Sequence, residues 1–349
     1  MALTQRGKIV IAVAAVVTAA VLVLAVLAFT GNAPAAIQEI VDKATGKPTP
    51  CPLTGELRAG GKGTLARPVI AVKVENTDEA YPLAGLERAD VIYEEPVEGS
   101  ITRFAALFQC RDAARVGPVR SARTTDPKIL VQYSDEPLLT YSGANPKVAA
   151  ALDEAGVVSL TETSAGDAFV RDDARSAPHN LFVSIKKLYL IAKRSGADFS
   201  LPEAVFRFDE EVPAPSKPRT SASVAFSPSN VVGWAWSKGR WVRQLDGETM
   251  RSESGTPIAV DNVVIQEVVV TDSNIVDVAG FPSPDVRLVG EGRAWILRDG
   301  RLIAGRWRRS SLSNVTVFET KRGDEIALAP GTTFIELVPK DDGDVTFER

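Results

Sequence analysis

Apolar and polar positions follow three different patterns along this chain. Residues 9–29 form one unbroken apolar run without a charged residue, Pro or Gly. Residues 67–211 mix helical spacing with short β-branched and aromatic runs, whereas residues 221–339 hold short apolar runs separated by turn residues. The patterns therefore predict a transmembrane helix, then a mixed α/β domain, then a smaller all-β domain.

The apolar run Ile9–Phe29 is long enough to cross a membrane. As a helix it would reach about 31 Å, which matches the roughly 30 Å hydrocarbon core of a bilayer. Arg6 and Lys8 precede it, so the positive-inside bias predicts a cytoplasmic tail at residues 1–8. The bulk of the chain would then lie outside the cell membrane, behind a single-pass anchor. A cleaved secretory signal is the alternative, although its apolar core is normally shorter.

Breaker-rich segments divide the exported part into domains. Residues 30–66 are rich in Ala, Pro, Gly and Thr, and we expect them to be a linker. The cluster VPAPSKPRT at 212–220 predicts a second linker between the α/β domain at 67–211 and the all-β domain at 221–339. Residues 340–349 form an acidic tail. The all-β domain is expected to be a small sandwich or a partly closed barrel.

Start and stop signals locate several individual elements. Asn145-Pro146 and Gly156 bracket one helix. Helical spacing of apolar residues predicts another, from Leu181 to Gly196. Asp299-Gly300 is typical of a hairpin turn, so two antiparallel strands should flank it. Further strands are expected at residues 69–74, 101–108, 138–141 and 262–270.

Charge and cysteine content limit the possible functions. The net charge is −4, so no overall basic field would attract nucleic acid. Cys51 and Cys110 are the only cysteines. Outside the membrane such a pair predicts a disulfide, with two unpaired thiols as the alternative. One histidine with two cysteines does not form a usual zinc set, and no calcium-loop spacing occurs, so no metal or cofactor is expected.

Ionisable residues concentrate in three segments of the α/β domain: 74–104, 117–123 and 169–182. The candidate ligand-binding residues in them are Asn76, Arg103, Arg120, Ser121, Arg123, Arg171 and Asn180. The middle segment, GPVRSAR, is expected to lie where a loop enters a helix. Backbone N–H groups there, with two guanidinium groups, would form an anion cradle. Ser121 is expected to cap that helix, because no G-x-S-x-G elbow marks it as a nucleophile.

Three residues are candidates for proton transfer. His179 is the only histidine of the chain and is suited to acid–base chemistry near neutral pH. Glu94 and Glu98 offer a pair of carboxylates for the same purpose. The alternatives are that His179 bonds a nearby carbonyl at a helix start, and that the glutamates neutralise neighbouring arginines.

Several of these segments resemble one known family, the YerB-like envelope lipoproteins of Gram-positive bacteria. In the α/β domain the similar segments are RPVIAVKVENTDEAYPLAGLERADVIYEEPVEGSITRFAALFQ, GPVRSAR and RDDARSAPHN; later ones are WVRQLDGE, NVVIQEVVV, GEGRAWILRDGRLIAGRW and PGTTFIELVP. The resemblance covers about residues 67–339 and implies a two-domain exported protein at the cell surface. It implies no activity and no catalytic residues. A lipoprotein would have a Cys closing the apolar run, whereas this chain offers a spanning helix.

Three functions remain open. The preferred one is binding of an anionic cell-wall or peptide ligand in a cleft lined by arginines and carboxylates. An extracytoplasmic hydrolase or transferase would instead use His179 with Glu94 or Glu98. A structural role in an envelope complex, with an envelope protein as partner, is the third. Binding is preferred because no nucleophile–base set is recognisable, and it requires the three ionisable segments to fold into one crevice.

Overall fold

The computed structural model describes residues 48–59, 65–276 and 280–349, together with Val23 and Leu27. Apart from those two positions, the predicted anchor at 9–29 lies outside the described residues. Within the described ranges, no helix has the length and apolar character that crossing a bilayer requires.

Two compact units make up the chain. The described residues 48–50, 57–59, 65 and 66 belong to the first, which contains a short antiparallel hairpin of β1 (Thr49–Pro50) and β2 (Leu57–Arg58). Residues 51–56 and 67–349 form the second, and all elements that follow belong to it.

The N-terminal half of the second unit mixes strands with short helices. Its strands are β3 (Ile70–Val74), β4 (Val91–Pro96), β5 (Thr102–Phe108), β6 (Leu138–Thr140), β7 (Val158–Leu160), β8 (Phe169–Arg171) and β9 (Leu181–Val183). Its α-helices are α1 (Thr125–Leu130), α2 (Pro146–Glu154), α3 (Glu162–Ala165) and α4 (Ile185–Arg194). Single 3₁₀ turns lie at Asp78–Ala80, Leu86–Arg88, Glu98–Ser100 and Gly166–Ala168.

The C-terminal half is rich in β-structure. Its first strands are β10 (Lys217–Pro218), β11 (Ser221–Ser227), β12 (Asn230–Ser237), β13 (Arg240–Leu245), β14 (Glu248–Thr249), β15 (Ala259–Val260) and β16 (Asn262–Val268). They are followed by β17 (Val270–Val276), β18 (Pro282–Val286), β19 (Gly290–Arg298), β20 (Arg301–Arg309), β21 (Val317–Thr320), β22 (Thr333–Pro339) and β23 (Asp344–Glu348).

One sheet of eleven strands runs through both halves of the described chain. Its order is β10-β20-β19-β16-β22-β4-β5-β3-β6-β7, with β21 beside β20. The late strand β22 lies parallel to both of its neighbours, β16 and β4. The remaining C-terminal strands form a second sheet, β14-β13-β12-β11-β23, with β15 beside β13, and a separate β17–β18 hairpin. Within the described residues, the C-terminal part of the main sheet packs against this second sheet, as in a sandwich. The main sheet is not confined to the C-terminal half, because β22 continues it into the N-terminal half.

The two faces of the main sheet pack against different partners. On the first face, Ile92 and Phe104 belong to a core that includes α4 and the second sheet. On the second face, Tyr93 and Ala105 belong to a core that includes α1 and α2. Because successive side chains of a strand point to opposite faces, this alternation also decides which polar residues can meet.

The predicted local elements are largely confirmed. Helix α2 begins after Asn145, whose side chain accepts a hydrogen bond of 3.0 Å from the Lys147 N–H. Strands β19 and β20 pair across Asp299-Gly300 as a hairpin. The helix predicted from Leu181 begins four residues late, at Ile185, because Leu181–Val183 is a strand paired with β8. Val183 also exchanges backbone hydrogen bonds with Val116, which holds this apolar stretch in an extended conformation.

Candidate functional site

The candidate site lies at one edge of the main sheet, where several strands end. Strands β3, β6 and β7 are parallel, so their carboxyl ends meet at this edge. Strand β5 runs antiparallel to β3 and therefore contributes its first residues, including Arg103, to the same edge. The crevice beyond the carboxyl ends of parallel strands is the usual ligand position in open α/β sheets.

The segment Gly117–Arg123 is fixed along this edge by backbone hydrogen bonds. Its Arg120 N–H donates to the Lys73 carbonyl at 3.0 Å, and the Arg120 carbonyl accepts from the Ser142 N–H at 3.0 Å. On its other side, the Val119 N–H donates to the Leu181 carbonyl at 2.7 Å. The segment thus joins the ends of β3 and β6 to β9, and this is why three distant stretches of sequence meet.

Side chains beyond this edge form a closed circuit of contacts that we name the arginine ring. Its members are Glu75, Arg120, Ser121, Ser142, Glu162, Arg171, His179 and Asn180. On one side of the ring, Glu75 Oε1 lies 3.0 Å from Arg120 Nε, and Glu75 Oε2 lies 2.9 Å from His179 Nδ1. Glu75 is buried, whereas Arg120 and His179 remain partly exposed.

The other side of the ring is more open to solvent. Arg171 donates to Asn180 Oδ1 at 3.1 Å and to Glu162 Oε1 at 2.8 Å. Ser142 Oγ donates to Glu162 Oε2 at 3.1 Å, and Ser121 Oγ donates to the Ser142 carbonyl at 3.0 Å. The circuit closes because Ser121 follows Arg120 and Asn180 follows His179 in the chain.

Arg103 lies next to the ring and forms no ion pair with a carboxylate of the described residues. Its side chain is only 8% exposed, and its Nη1 donates to the Ser121 carbonyl at 3.3 Å. Across the described residues, no carboxylate oxygen lies within 4.0 Å of its guanidinium. Burial, with repulsion from Arg123 and Arg120, lowers the pKa of Arg103 to about 10, so it remains protonated at neutral pH.

Arg123 is neutralised by a glutamate, in contrast to Arg103. Its Nε and Nη2 donate to Glu98 Oε2 at 2.8 and 2.6 Å. Ser283 donates to the other oxygen of Glu98. Although burial opposes it, these hydrogen bonds hold the pKa of Glu98 below its ordinary value, so Glu98 is ionised.

A second buried ionic cluster lies on the same face of the sheet as Arg103. Lys73 is completely buried and donates to Glu95 and, at 2.8 Å, to Asp126 Oδ1. Glu95 pairs with Arg103 in the register of β4 and β5. Burial raises the pKa of Glu95 to about 7, with Lys73 opposing the rise. The pKa of Glu95, a residue close to the site, therefore lies near neutral pH.

Comparisons with known proteins place the fold in a family. Residues 53–198 match the model described as "Protein of unknown function (DUF3048) N-terminal domain", and residues 222–335 match the corresponding C-terminal domain. The protein named "Putative lipoprotein YerB" from Bacillus subtilis is 30% identical over 302 residues, which cover 84% of this chain and 88% of that protein. The chain belongs to this YerB-like family.

A solved structure of the same relative supports the family assignment. The crystal structure of the YerB protein from Bacillus subtilis matches with a TM-score of 0.72 at 28% identity, and the match covers 85% of this chain and 99% of the other. The family accounts for a mixed α/β N-terminal domain followed by a β-rich C-terminal domain. The family models attach no function to either domain.

In this YerB-like chain the ring contains half of the residues predicted for the site, and three others are linked to it by hydrogen bonds. Arg120, Ser121, Arg171, His179 and Asn180 are members of the ring. Arg103 and Arg123 both donate to the Ser121 carbonyl, at 3.3 and 3.5 Å, and Glu98 joins through Arg123.

Two predicted residues lie elsewhere. Glu94 is completely buried on the opposite face of the sheet from Arg103, where Arg243 Nη2 lies 2.7 Å from its Oε2. Asn76 donates to Glu94 Oε1 at 3.1 Å and to Thr102 Oγ1 at 2.6 Å. The side chains of Glu94 and Glu98 therefore do not face one another as an acid–base pair, because each is held by a different arginine.

The expected helix cap and the helix-start cradle are corrected by the structure. Helix α1 begins at Thr125, and Thr124 rather than Ser121 occupies the cap position, without a side-chain hydrogen bond. Ser121 bonds a carbonyl of the ring instead. The Arg123 N–H donates to Asp126 Oδ2 at 2.6 Å, so the chain itself satisfies this backbone donor.

Sequence reasoning missed three ring residues, Glu75, Ser142 and Glu162. Glu75 is the most informative, because it orients both His179 and Arg120. Glu75, Ser142 and Glu162 follow β3, β6 and β7 by one or two residues. Polar residues directly after buried parallel strands were therefore the available signal.

The predicted disulfide is present. Cys51 and Cys110 are bonded, with their Cα atoms 6.0 Å apart. Cys110 follows β5 by two residues, so the bond joins the start of the large unit to the central sheet.

Proposed function

We propose that this chain is a membrane-anchored extracytoplasmic envelope protein that binds an anionic cell-wall or peptide ligand at the arginine ring. The observation that supports binding most directly is Arg103, a buried guanidinium without a carboxylate partner among the described residues. A buried charge is costly unless a counter-charge meets it. An anionic group of a ligand would supply that counter-charge.

The charge balance around the ring also favours an anion. The ring with Arg103, Arg123 and Glu98 beside it has four guanidinium groups and three carboxylates, namely Arg103, Arg120, Arg123 and Arg171 with Glu75, Glu98 and Glu162. The neighbouring Lys73 is paired separately with Glu95 and Asp126. Guanidinium groups bind carboxylates and phosphates through paired hydrogen bonds. Partial exposure of Arg120 and Arg171 leaves donors within reach of a ligand at the surface.

Binding is tested with the full chain and two anionic probes, hexaglutamate for carboxylates and inorganic polyphosphate for phosphates, alongside purified wall fragments. Arg103→Gln should weaken binding of the preferred probe roughly tenfold or more, because a buried charged hydrogen bond is lost. Arg194→Gln, at the exposed end of α4, is the matched control and should bind like the parent. Equal affinity of both variants would contradict the proposal.

Location outside the membrane is supported by the apolar run Ile9–Phe29 and by the word lipoprotein in the relative's name. With a tag on the N-terminus of the full chain, external protease should digest the ectodomain and leave the tagged fragment protected. Protection of the entire chain would contradict an extracytoplasmic location.

A second candidate function is supported by the Glu75–His179 contact. A buried carboxylate that holds Nδ1 at 2.9 Å orients the imidazole and leaves its Nε2 for proton transfer. A hydrolase or transferase acting on the bound ligand would use this pair, with Glu75 in place of Glu94 or Glu98 as the assisting carboxylate. Release of soluble products from wall fragments by the parent, abolished in His179→Ala without loss of affinity, would favour it. No release by the parent would exclude it for that substrate.

A further inference from the structure

Two clefts flank the loop Gly99–Ile101, and their charged lining residues are acidic, in contrast to the arginines of the ring. The first has a volume of about 620 Å³ and lies between residues 76–81 and residues 228–232. The second, of about 610 Å³, lies between residues 96–101 and the β17–β18 hairpin. Gly99, Ser100 and Ile101 line both, so the two clefts are adjacent, and we name them together the acidic groove, with each cleft as one lobe.

The charged residues that line the acidic groove are all acidic. They are Asp78, Glu79 and Asp246 in the first lobe, and Glu98, Asp272 and Asp342 in the second. Among the described lining residues there is no Lys, Arg or His. Glu98 is neutralised by Arg123, whereas the other five carboxylates form no ion pair within the described part of the chain. Within the described residues, the lining of the groove therefore carries a net negative charge, most of it without a paired cation.

Exposed apolar residues and prolines also line the groove. Ile101 is 36% exposed on the loop between the lobes, and Val231 is 46% exposed in the first lobe. Five prolines also line the groove, namely Pro96, Pro228, Pro282, Pro284 and Pro339. Because proline fixes its backbone φ angle, these walls need little ordering when a ligand binds.

We infer that the acidic groove is a docking site for an extended basic segment of a partner protein, in which Lys or Arg residues alternate with apolar ones. The basic side chains would face the carboxylates of the two lobes, and an apolar side chain between them would cover Ile101. Charge complementarity selects such a partner and speeds its encounter. The inference does not rest on ligand binding at the arginine ring, although Glu98 lines the groove and also neutralises Arg123 beside the ring.

The probes are three labelled nonapeptides, which alternate lysine with leucine, lysine with glycine, or serine with leucine. Binding to the full chain is followed by fluorescence anisotropy. The lysine–leucine peptide should bind at least roughly tenfold more tightly than either control peptide, since only it satisfies both the charges and the apolar contact. Its affinity should fall as salt is raised. Equal binding of the three peptides, or no binding, would overturn the inference.

Substitutions of groove residues test whether the peptide binds in the groove. Asp246→Asn and Ile101→Ala should each weaken the lysine–leucine peptide by roughly three- to tenfold. Asp246 has a φ of +50°, which Asn also adopts readily, so this change removes charge without straining the turn. Asp153→Asn, an exposed carboxylate on α2 outside the groove, is the control and should bind like the parent. Unchanged affinity in both groove variants would locate the peptide elsewhere and overturn the inference.

Discussion

Glu94 and Glu336 occupy opposite positions on neighbouring parallel strands, and both are completely buried. Arg243 lies against both, 2.7 Å from Glu94 Oε2 and 3.0 Å from Glu336 Oε1. One guanidinium cannot balance two carboxylates at this depth. Burial and the neighbouring Glu94 raise the pKa of Glu336 well above its ordinary value, which favours the protonated form of this carboxyl.

This arrangement predicts opposite outcomes for two substitutions in the cluster. Glu336→Gln should change the free energy of unfolding by less than about 1 kcal/mol, because a neutral amide replaces a carboxyl whose protonated form is favoured by burial. Its oxygen can still accept from Trp234 Nε1 and Arg243. Arg243→Met should lower the free energy of unfolding by about 3–5 kcal/mol, because it leaves the two buried carboxyl groups without their guanidinium partner. Urea unfolding measures both, and equal losses would contradict a raised pKa at Glu336.

Arginines of the site should contribute unequally to anion binding. Arg103 is almost completely buried, whereas the Arg171 side chain is 49% exposed and already paired with Glu162. Solvent and salt screen exposed pairs, so Arg171→Gln should weaken the preferred anionic probe by less than about threefold. Arg103→Gln should weaken it by roughly tenfold or more. Titrations of each variant with the probe at low and high salt measure these affinities. A larger loss of affinity in Arg171→Gln than in Arg103→Gln would contradict the prediction.

Glu95 should make stability depend on pH. In the unfolded chain this glutamate titrates near pH 4.5, whereas in the folded chain its pKa is about 7. Between these values the folded state holds a proton that the unfolded state has lost, so the free energy of unfolding falls as the pH rises through this window.

Glu95→Gln removes this dependence. Between pH 5 and pH 7.5 the parent should lose on the order of 1–3 kcal/mol more than the variant. Glu154→Gln, an exposed glutamate on α2, is the control and should follow the parent. Parallel profiles for the parent and Glu95→Gln in urea unfolding would contradict a raised pKa at Glu95.

The disulfide should stabilise the large unit. The bond between Cys51 and Cys110 closes a loop with a sequence separation of 59 residues, and such cross-links typically contribute about 2–4 kcal/mol. The double variant Cys51→Ala with Cys110→Ala should therefore unfold at lower urea concentration. Reducing agent should shift the parent to the same midpoint and leave the double variant unchanged. A shift of both proteins would indicate an effect other than the loss of this bond.

Local signals in the sequence were sufficient for elements that form from neighbouring residues. The turn at Asp299-Gly300 and the cap at Asn145 act within a few residues, and both predictions are confirmed. The prediction of a helix start at Leu181 was wrong because distant residues decide the structure there. Its apolar spacing suits a helix, but pairing with β8 and with Val116 makes its first three residues a strand.

Long-range pairing was beyond the sequence pattern. Strand β22 pairs with β4 although the two are more than 200 residues apart in the chain, and nothing in either segment identifies its neighbour. The meeting of Arg120, Arg171 and His179 could be proposed from their shared polarity. The separation of Glu94 from Arg103 could not, because it depends on which face of the sheet each residue occupies.

Strand order has a consequence for how the chain matures. The N-terminal half leaves the ribosome with one side of β4 open, and its permanent neighbour β22 is made only near the end of synthesis. An unpaired strand edge invites incorrect pairing with other chains. Late mutations or nonsense codons that remove residues 333–339 would therefore damage a region that was translated long before them. The N-terminal half of this protein therefore completes its sheet only when the last strands are present.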